Sequence, residues 1–420
     1  MTAPDHLVIS GPQDILGFIP HSLGYWPESS LVAITMHGNR LGATLRLDLP
    51  GPRVLAAPAK YIRMVRGYLD ADKEADGSLL AFFTGNAAGA AAATYGLLLA
   101  ALDSALQTTV PVREAWYVGA DYWREAYCID PSCCPPQGRP LQMILDSAVN
   151  AEMVYRGSSV GPAPGRKPRA APPVNSLYRK AVQESEVSWS EVLDGQRNSR
   201  AQLRAILAAW EALLGRPDGG AWLPEVERDG FLRATLLVPA WRDALLVMAA
   251  AGKHAAEAGA NQFGILHDGD GFHVVPPLVA CRARDSASTP QEETAQEESA
   301  QEESAPEETA QEEGARDTVP RYGDVLMGSG PAVPDWSRLN ALDLVLEQLA
   351  LPGGPAAAAS LTLRGWISWC RGRGSYAAAY LSEALAIEPG YRLAELLLEI
   401  VGRGVICGWA GRKEAAWQKF

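Results

Sequence analysis

From residue 291 to 315 the chain repeats five acidic pentapeptides in register: QEETA, QEESA, QEESA, PEETA and QEEGA. Two negative charges in every five residues, with almost no apolar side chains, leave nothing to offset the entropy of ordering the backbone. Like charges also repel, so an extended, unstructured segment is expected. The period is too short for a solenoid. A contact for a basic partner is the functional alternative to a plain spacer. Any folded body must therefore come from the residues before and after the repeat.

The ten glutamates of this stretch, with no basic residue among them, dominate the net charge of −12; without them the chain carries −2. A near-neutral body argues against nucleic acid and against an acidic membrane surface as partners. The small basic cluster Arg166, Lys167 and Arg169 lacks aromatic neighbours on which bases could stack. It lies in GSSVGPAPGRKPRAAPP, residues 157–173, whose Gly and Pro mark a linker.

Residues 1–157 alternate strand and helix signals. Leu7–Ser10 is a short strand candidate, and Gln13–Ile19 a brief helix stopped by Pro20. Leu31–Met36 and Leu41–Leu47 flank His37-Gly38-Asn39-Arg40, the pattern of a hairpin. Val54–Leu69 spaces Leu55, Ala59, Ile62, Val65 and Leu69 on one helical face. Ser78–Thr84 and Val112–Val118 are strands around an Ala/Leu helix at Gly89–Leu106, and Leu141–Tyr155 is helical. This pattern predicts an α/β fold, an N-terminal mixed sheet with flanking helices, followed by mostly helical C-terminal regions.

No charged residue occurs from Gly77 to Leu102, long enough to span a bilayer. Thr84-Gly85-Asn86 in its middle favours a buried strand, a turn and a buried helix instead. The N-terminus shows no basic stretch leading into an apolar one, and six Cys are not spaced as a disulfide framework. The expectation is a cytoplasmic protein with reduced thiols and no membrane span.

The expected organisation is an α/β domain (1–157), a Pro/Gly-rich linker (158–175), a helical region (176–252), an insertion (253–334) holding the disordered acidic repeat (about 285–318), and a helical region (335–420). Leu203, Ile206, Leu207 and Trp210 form one stripe of the first helical region. In the second, Ala377, Leu381, Ala384 and Pro389 follow the spacing of the second helix of a tetratricopeptide repeat, with Gly365 in the matching place. One degenerate pair makes no peptide groove, so ordinary helix packing is expected, with Trp366 and Trp369 in the core.

Three constellations carry candidate chemistry. Cys128, Cys133 and Cys134 offer thiolates to zinc, but the spacing C-x₄-C-C supplies three ligands where structural sites use four. A fourth would come from afar, for example His21 or Cys281. Redox chemistry lacks a C-x-x-C motif, and a structural loop of buried thiols is the plainer alternative. Gly85, Asn86 and Gly89 lie in a strand-to-helix turn whose N–H groups could take an anion, although no phosphate-loop motif is complete. The loop at Pro20–Ser30 offers His21, Tyr25, Glu28, Ser29 and Ser30, with Asp48 beyond the hairpin. Hydroxyl, imidazole and carboxylate are present there without a nucleophile elbow. His267 and His273, in HDGDGFH, read as a hairpin turn.

Pro20, Leu23-Gly24, Pro27, Ser30-Leu31-Val32 and Arg46-x-Asp48-Leu49-Pro50 resemble the actinobacterial family called domain of unknown function 4192. Cys133-Cys134-Pro135-x-x-Gly138 and LSEALAIEPGYRLAELL at 381–397 are similar too. The resemblance implies no catalytic residue, substrate or cofactor. The leading expectation is a non-catalytic protein that binds a partner protein or small ligand through its α/β domain. The alternatives are an enzyme, a hydrolase or nucleotide-dependent transferase with its site near the 20–30 loop, and a zinc-stabilised structural protein.

Overall fold

The computed structural model describes residues 7–165, 175–215, 224–262, 266–268, 272–277 and 320–417. The acidic repeat, the basic cluster at 166–169, Cys281 and the centre of HDGDGFH lie outside the described residues. The chain divides into two compact units, Met1–Ala170 (with Gln418–Phe420) and Ala171–Trp417.

The first unit runs α1 (Pro12–Leu23), β1 (Ser30–His37), β2 (Arg40–Asp48), α2 (Pro52–Leu55), α3 (Ala59–Leu69), β3 (Gly77–Phe83), α4 (Ala88–Leu106), β4 (Val112–Val118), β5 (Tyr122–Glu125), β6 (Arg139–Pro140), α5 (Gln142–Leu145) and α6 (Ala148–Tyr155). The strands form one mixed sheet in the order β2-β1-β3-β4-β5-β6. Only β3 and β4 are parallel, joined through α4; the other pairs are antiparallel.

Alternate side chains of a strand point to opposite faces, and here both faces are covered. Leu31, Ala33, Leu80, Phe82, Ala115 and Tyr117 pack with Val65 and Leu69 of α3 and Leu98, Leu102 and Leu106 of α4. Val32, Ile34, Leu79, Ala81, Phe83, Trp116 and Val118 pack with Ile15, Leu16 and Ile19 of α1 and Ile144 of α5. This explains why β3 is buried along its whole length. The uncharged run resolves into β3, a turn and α4. α4 is long and apolar enough to cross a membrane by length and composition, and it seats Ala91, Leu98, Leu99, Leu102 and Leu106 in the core.

Four local expectations are corrected. Leu7–Ser10 forms no strand. Pro20 does not stop the first helix: α1 continues to Leu23 and closes where Gly24, at φ 86°, donates its N–H to Pro20 O. A proline costs an interior helix one hydrogen bond, and burial of Ile15, Leu16 and Ile19 against the sheet holds the helix despite it. The expected helix over Val54–Leu69 is broken into α2 and α3 before Ala59, because a residue preceding proline, here Ala57 before Pro58, is disfavoured in the helical region. Leu141–Tyr155 splits at Ser147, whose hydroxyl caps α6 by accepting from Asn150 N–H. The hairpin turns through Gly38 at φ 60°, where a residue with a Cβ is strained.

The second unit is helical: α7 (Ser176–Asp194), α8 (Arg200–Leu214), α9 (Val226–Leu236), α10 (Pro239–Ala251), α11 (Lys253–Gln262), α12 (Tyr322–Leu326), α13 (Trp336–Ala350), α14 (Pro355–Cys370), α15 (Gly374–Ile387) and α16 (Arg392–Gly402). One core holds Leu203, Ile206, Leu207 and Trp210 together with Leu339, Leu342, Leu346, Trp366 and Leu381, so helices from both sides of the acidic repeat share it. Fully buried Arg233 of α9 pairs with Glu186 of α7 at 2.6 Å and donates to the carbonyls of Leu349 and Gly353. Trp366 and Trp369 are core residues whose indole N–H groups reach Leu326 O (2.8 Å) and Val405 O (2.7 Å). His267 forms a parallel bridge with Ser199.

Candidate functional site

The sheet register carries four loops of the first unit to one end. Ser30 faces Asp48 on one side and Phe83 on the other. Phe83 pairs with Val118, and Val118 with Trp123. Segments 28–30, 46–49, 84–89 and 119–121 therefore meet where the parallel strands β3 and β4 end. In open α/β sheets, ligands bind outside the carboxyl ends of such strands. The Pro20–Ser30 loop and the strand-to-helix turn, separate in sequence, share this end.

Glu28, Ser29, Asp48, Gly85 and Gly89 are exposed there, Asn86 is half-buried and Ser30 is buried. Ser29 holds φ at 44°, a region uncommon for a residue with a Cβ; such strain clusters at functional sites. Its carbonyl accepts from Leu49 N–H at 2.8 Å. Ser30 Oγ donates to Glu28 O (2.7 Å) and accepts from Arg46 Nε (2.7 Å). Arg46 Nη1 lies 2.6 Å from Asp48 Oδ1. Arg46 is a site residue that the sequence reading missed. The available signal was its spacing from Asp48, since residues two apart on a strand share a face. Tyr61 Oη donates to Asp48 O at 3.0 Å, and burial first, then the Asp48 charge, pushes its hydroxyl well above the ordinary tyrosine pKa.

At the turn, Asn86 N–H donates to Thr84 Oγ1 (3.2 Å), and Tyr122 Oη donates to Asn86 O (2.9 Å). No side chain caps the start of α4. A Cβ at Gly85 or Gly89 would meet nothing within 4 Å, so the space beside both is open.

Two residues of the loop belong elsewhere. His21 is 1% exposed. Its Nε2 lies 2.8 Å from Asn150 Oδ1 and its Nδ1 2.9 Å from Ser158 Oγ. Asn150 Nδ2 donates to Leu145 O, which turns its carbonyl oxygen toward the ring and makes Nε2 the donor of that bond. Hydroxyl, imidazole and amide thus stand in the order of a nucleophile, base and orienting group. However, Ser158 is only 4% exposed, so the set pins α1 to α6 inside the unit. Tyr25, 3% exposed, bridges Gly161, whose N–H donates to Gly24 O. A shallow depression lined by Ser10, Asp14, Gln142, Met143 and Ser147 contains none of the sheet-end residues. Its buried acid, Asp14, accepts from Ser10 N–H (2.9 Å) and Val149 N–H (3.4 Å).

The thiols gather at the other edge of the sheet, in the 126–138 loop between β5 and β6. The Sγ atoms of Cys128, Cys133 and Cys134 lie within 4.8 Å of one another, those of Cys133 and Cys134 at 4.0 Å. Only Cys134 is buried; Cys128 is half-buried and Cys133 exposed, which corrects the picture of a loop of buried thiols. Burial, then the Cys128 thiol beside it, pushes the Cys134 thiol up to about 11. His21, one of the two distant residues offered as examples of a fourth ligand, is instead bonded to Asn150 and Ser158.

A family model described as "Domain of unknown function (DUF4192)" matches residues 12–260 and 332–406. The unmatched interval contains the acidic repeat. No curated protein and no solved structure matches the chain.

Proposed function

The chain belongs to the DUF4192 family, whose description assigns no chemistry, and on that premise we propose a non-catalytic binding protein that takes a small polar ligand at the sheet end where β3 and β4 stop. The observation that carries this reading is the convergence of Glu28–Ser30, Arg46–Asp48 and Gly85–Gly89 on one exposed ledge. The ledge offers a guanidinium, two carboxylates and the uncapped start of α4, which are recognition groups. The ingredients of nucleophilic catalysis do not assemble on it. The Ser30 hydroxyl is held by Arg46 and Glu28, and the only imidazole of the 20–30 loop is turned into the interior. A reducing cytoplasm is part of the proposal, supported by five free thiols among the described residues.

The test is a thermal-shift screen of nucleotides and common polar metabolites against the full chain. A ligand of this site raises the melting temperature by mass action. The shift should vanish in Arg46→Ala and in Gly89→Trp, which places a bulky ring in the space that is open around the Gly89 Cβ position. No hit, a hit whose shift survives both substitutions, or turnover of the hit would each overturn the reading.

A further inference from the structure

We propose that Cys128, Cys133 and Cys134 form a three-thiolate site for a zinc ion, with the fourth coordination position open to solvent or an outside ligand. Tetrahedral zinc with Zn–S bonds of about 2.3 Å holds its sulfurs roughly 3.8 Å apart. The three Sγ atoms already lie within 4.8 Å of one another, and the Cys133–Cys134 pair is at 4.0 Å. Adjacent cysteines rarely share an ion. Here the turn closed by Cys134 N–H on Asp130 O (2.7 Å) coexists with both sulfurs converging.

The scaffold around the thiols is built from both flanking strands. Arg124 of β5 donates to Cys128 O at 3.1 Å. Arg139 of β6 donates to Cys133 O through Nε (3.1 Å) and Nη2 (2.9 Å), and its guanidinium lies over the Trp123 ring. Arg139 Nη2 also reaches Cys133 Sγ at 3.5 Å. Three thiolates on a divalent ion leave one net negative charge, and this guanidinium is placed to offset it. Such outer partners orient and tune metal ligands.

The donor set selects the ion. Soft thiolates favour zinc over magnesium or calcium, which require oxygen. The nearby carboxylate, Asp130, uses Oδ1 to accept from Ser132 N–H and Oγ–H. The gradient from buried Cys134 to exposed Cys133 places the open position on the solvent side. Sites with three protein ligands keep such a position for water or substrate. The site occupies the edge of the sheet opposite β2, so it stands or falls independently of the binding reading above.

The experiment uses the full chain, reduced and freed of metal with a chelator, then titrated with Co²⁺ and back-titrated with Zn²⁺. One equivalent should bind, with thiolate-to-cobalt charge transfer and tetrahedral d–d absorption that Zn²⁺ bleaches. Cys133→Ser, at an exposed position, should match the melting temperature of the wild type when both are metal-free and weaken binding roughly 100-fold or more, and Arg139→Gln should weaken it about 10-fold. Cys370→Ser, at a thiol of the other unit, should leave binding intact. An octahedral cobalt spectrum, unchanged binding in Cys133→Ser, or loss of binding in Cys281→Ser would overturn the proposal.

Discussion

The Nε2 of His21 and the Oδ1 of Asn150 lie 2.8 Å apart, although 129 positions separate the residues in the chain. With Ser158 on the other ring nitrogen, this contact makes His21 a fastener between α1 and α6. His21→Ala should therefore destabilise the first unit by about 2–4 kcal/mol, through lost buried hydrogen bonds and a cavity. Urea unfolding followed by the tryptophans of the sheet measures it. A ligand-facing histidine would leave stability unchanged.

Asp72 Oδ2 accepts from Thr35 Oγ1 (2.5 Å) and from His37 Nε2 (2.8 Å). Burial opposes the charged form most strongly. The two hydrogen bonds and the His37 charge act together against it, and the net effect lowers the Asp72 pKa. A lowered folded pKa contributes stability above the unfolded value, about 3.9 for Asp, and that contribution is lost as pH falls through the folded value. Asp72→Asn should cost roughly 1–2 kcal/mol at pH 7 and progressively less below pH about 4. Parallel denaturation curves at the two pH values check the sign.

Gly365 of α14 faces Leu381 of α15 so closely that an added Cβ would stand 2.8 Å from Leu381 Cγ and 3.4 Å from Ala377 O. Gly365→Val should destabilise the helical unit by about 1–3 kcal/mol. Leu381→Ala in the same chain should recover part of that loss, so the two changes are non-additive in a double-mutant cycle.

Deleting residues 286–316 should leave the melting temperature nearly unchanged, because the glutamate repeat has almost no apolar side chains with which to join a core. A drop of many degrees in a calorimetric scan would show that the segment is packed.

Local composition and spacing made the architecture legible. Apolar runs of strand length at 31–36 and 78–84, bounded by turn residues, and the helical stripe at 203–210 are signals carried within a single element. Interruptions were harder to read. Pro20 sits inside α1 because packing against the sheet outweighs one missing hydrogen bond. Pro58 breaks a helix whose apolar spacing was otherwise continuous.

The candidate site was legible only in part, because its residues are local but their meeting is not. The sequence named Glu28–Ser30, Asp48, Gly85–Gly89 and the three cysteines, since turns, strand ends and thiols have compositional signatures. It could not place Arg46 against Ser30, nor send His21 inward to Asn150 and Ser158. Those outcomes depend on strand register and on helix packing across more than a hundred residues.

By itself, then, the sequence determined a layered α/β region, helical regions on either side of a glutamate repeat, and the residue types available for chemistry. Tertiary structure alone decided which of these stand together: one sheet end gathers four loops, and one edge hairpin gathers three sulfurs. The physical reason is that local backbone preference acts over a few residues, whereas convergence of side chains is set by the closure of the whole core.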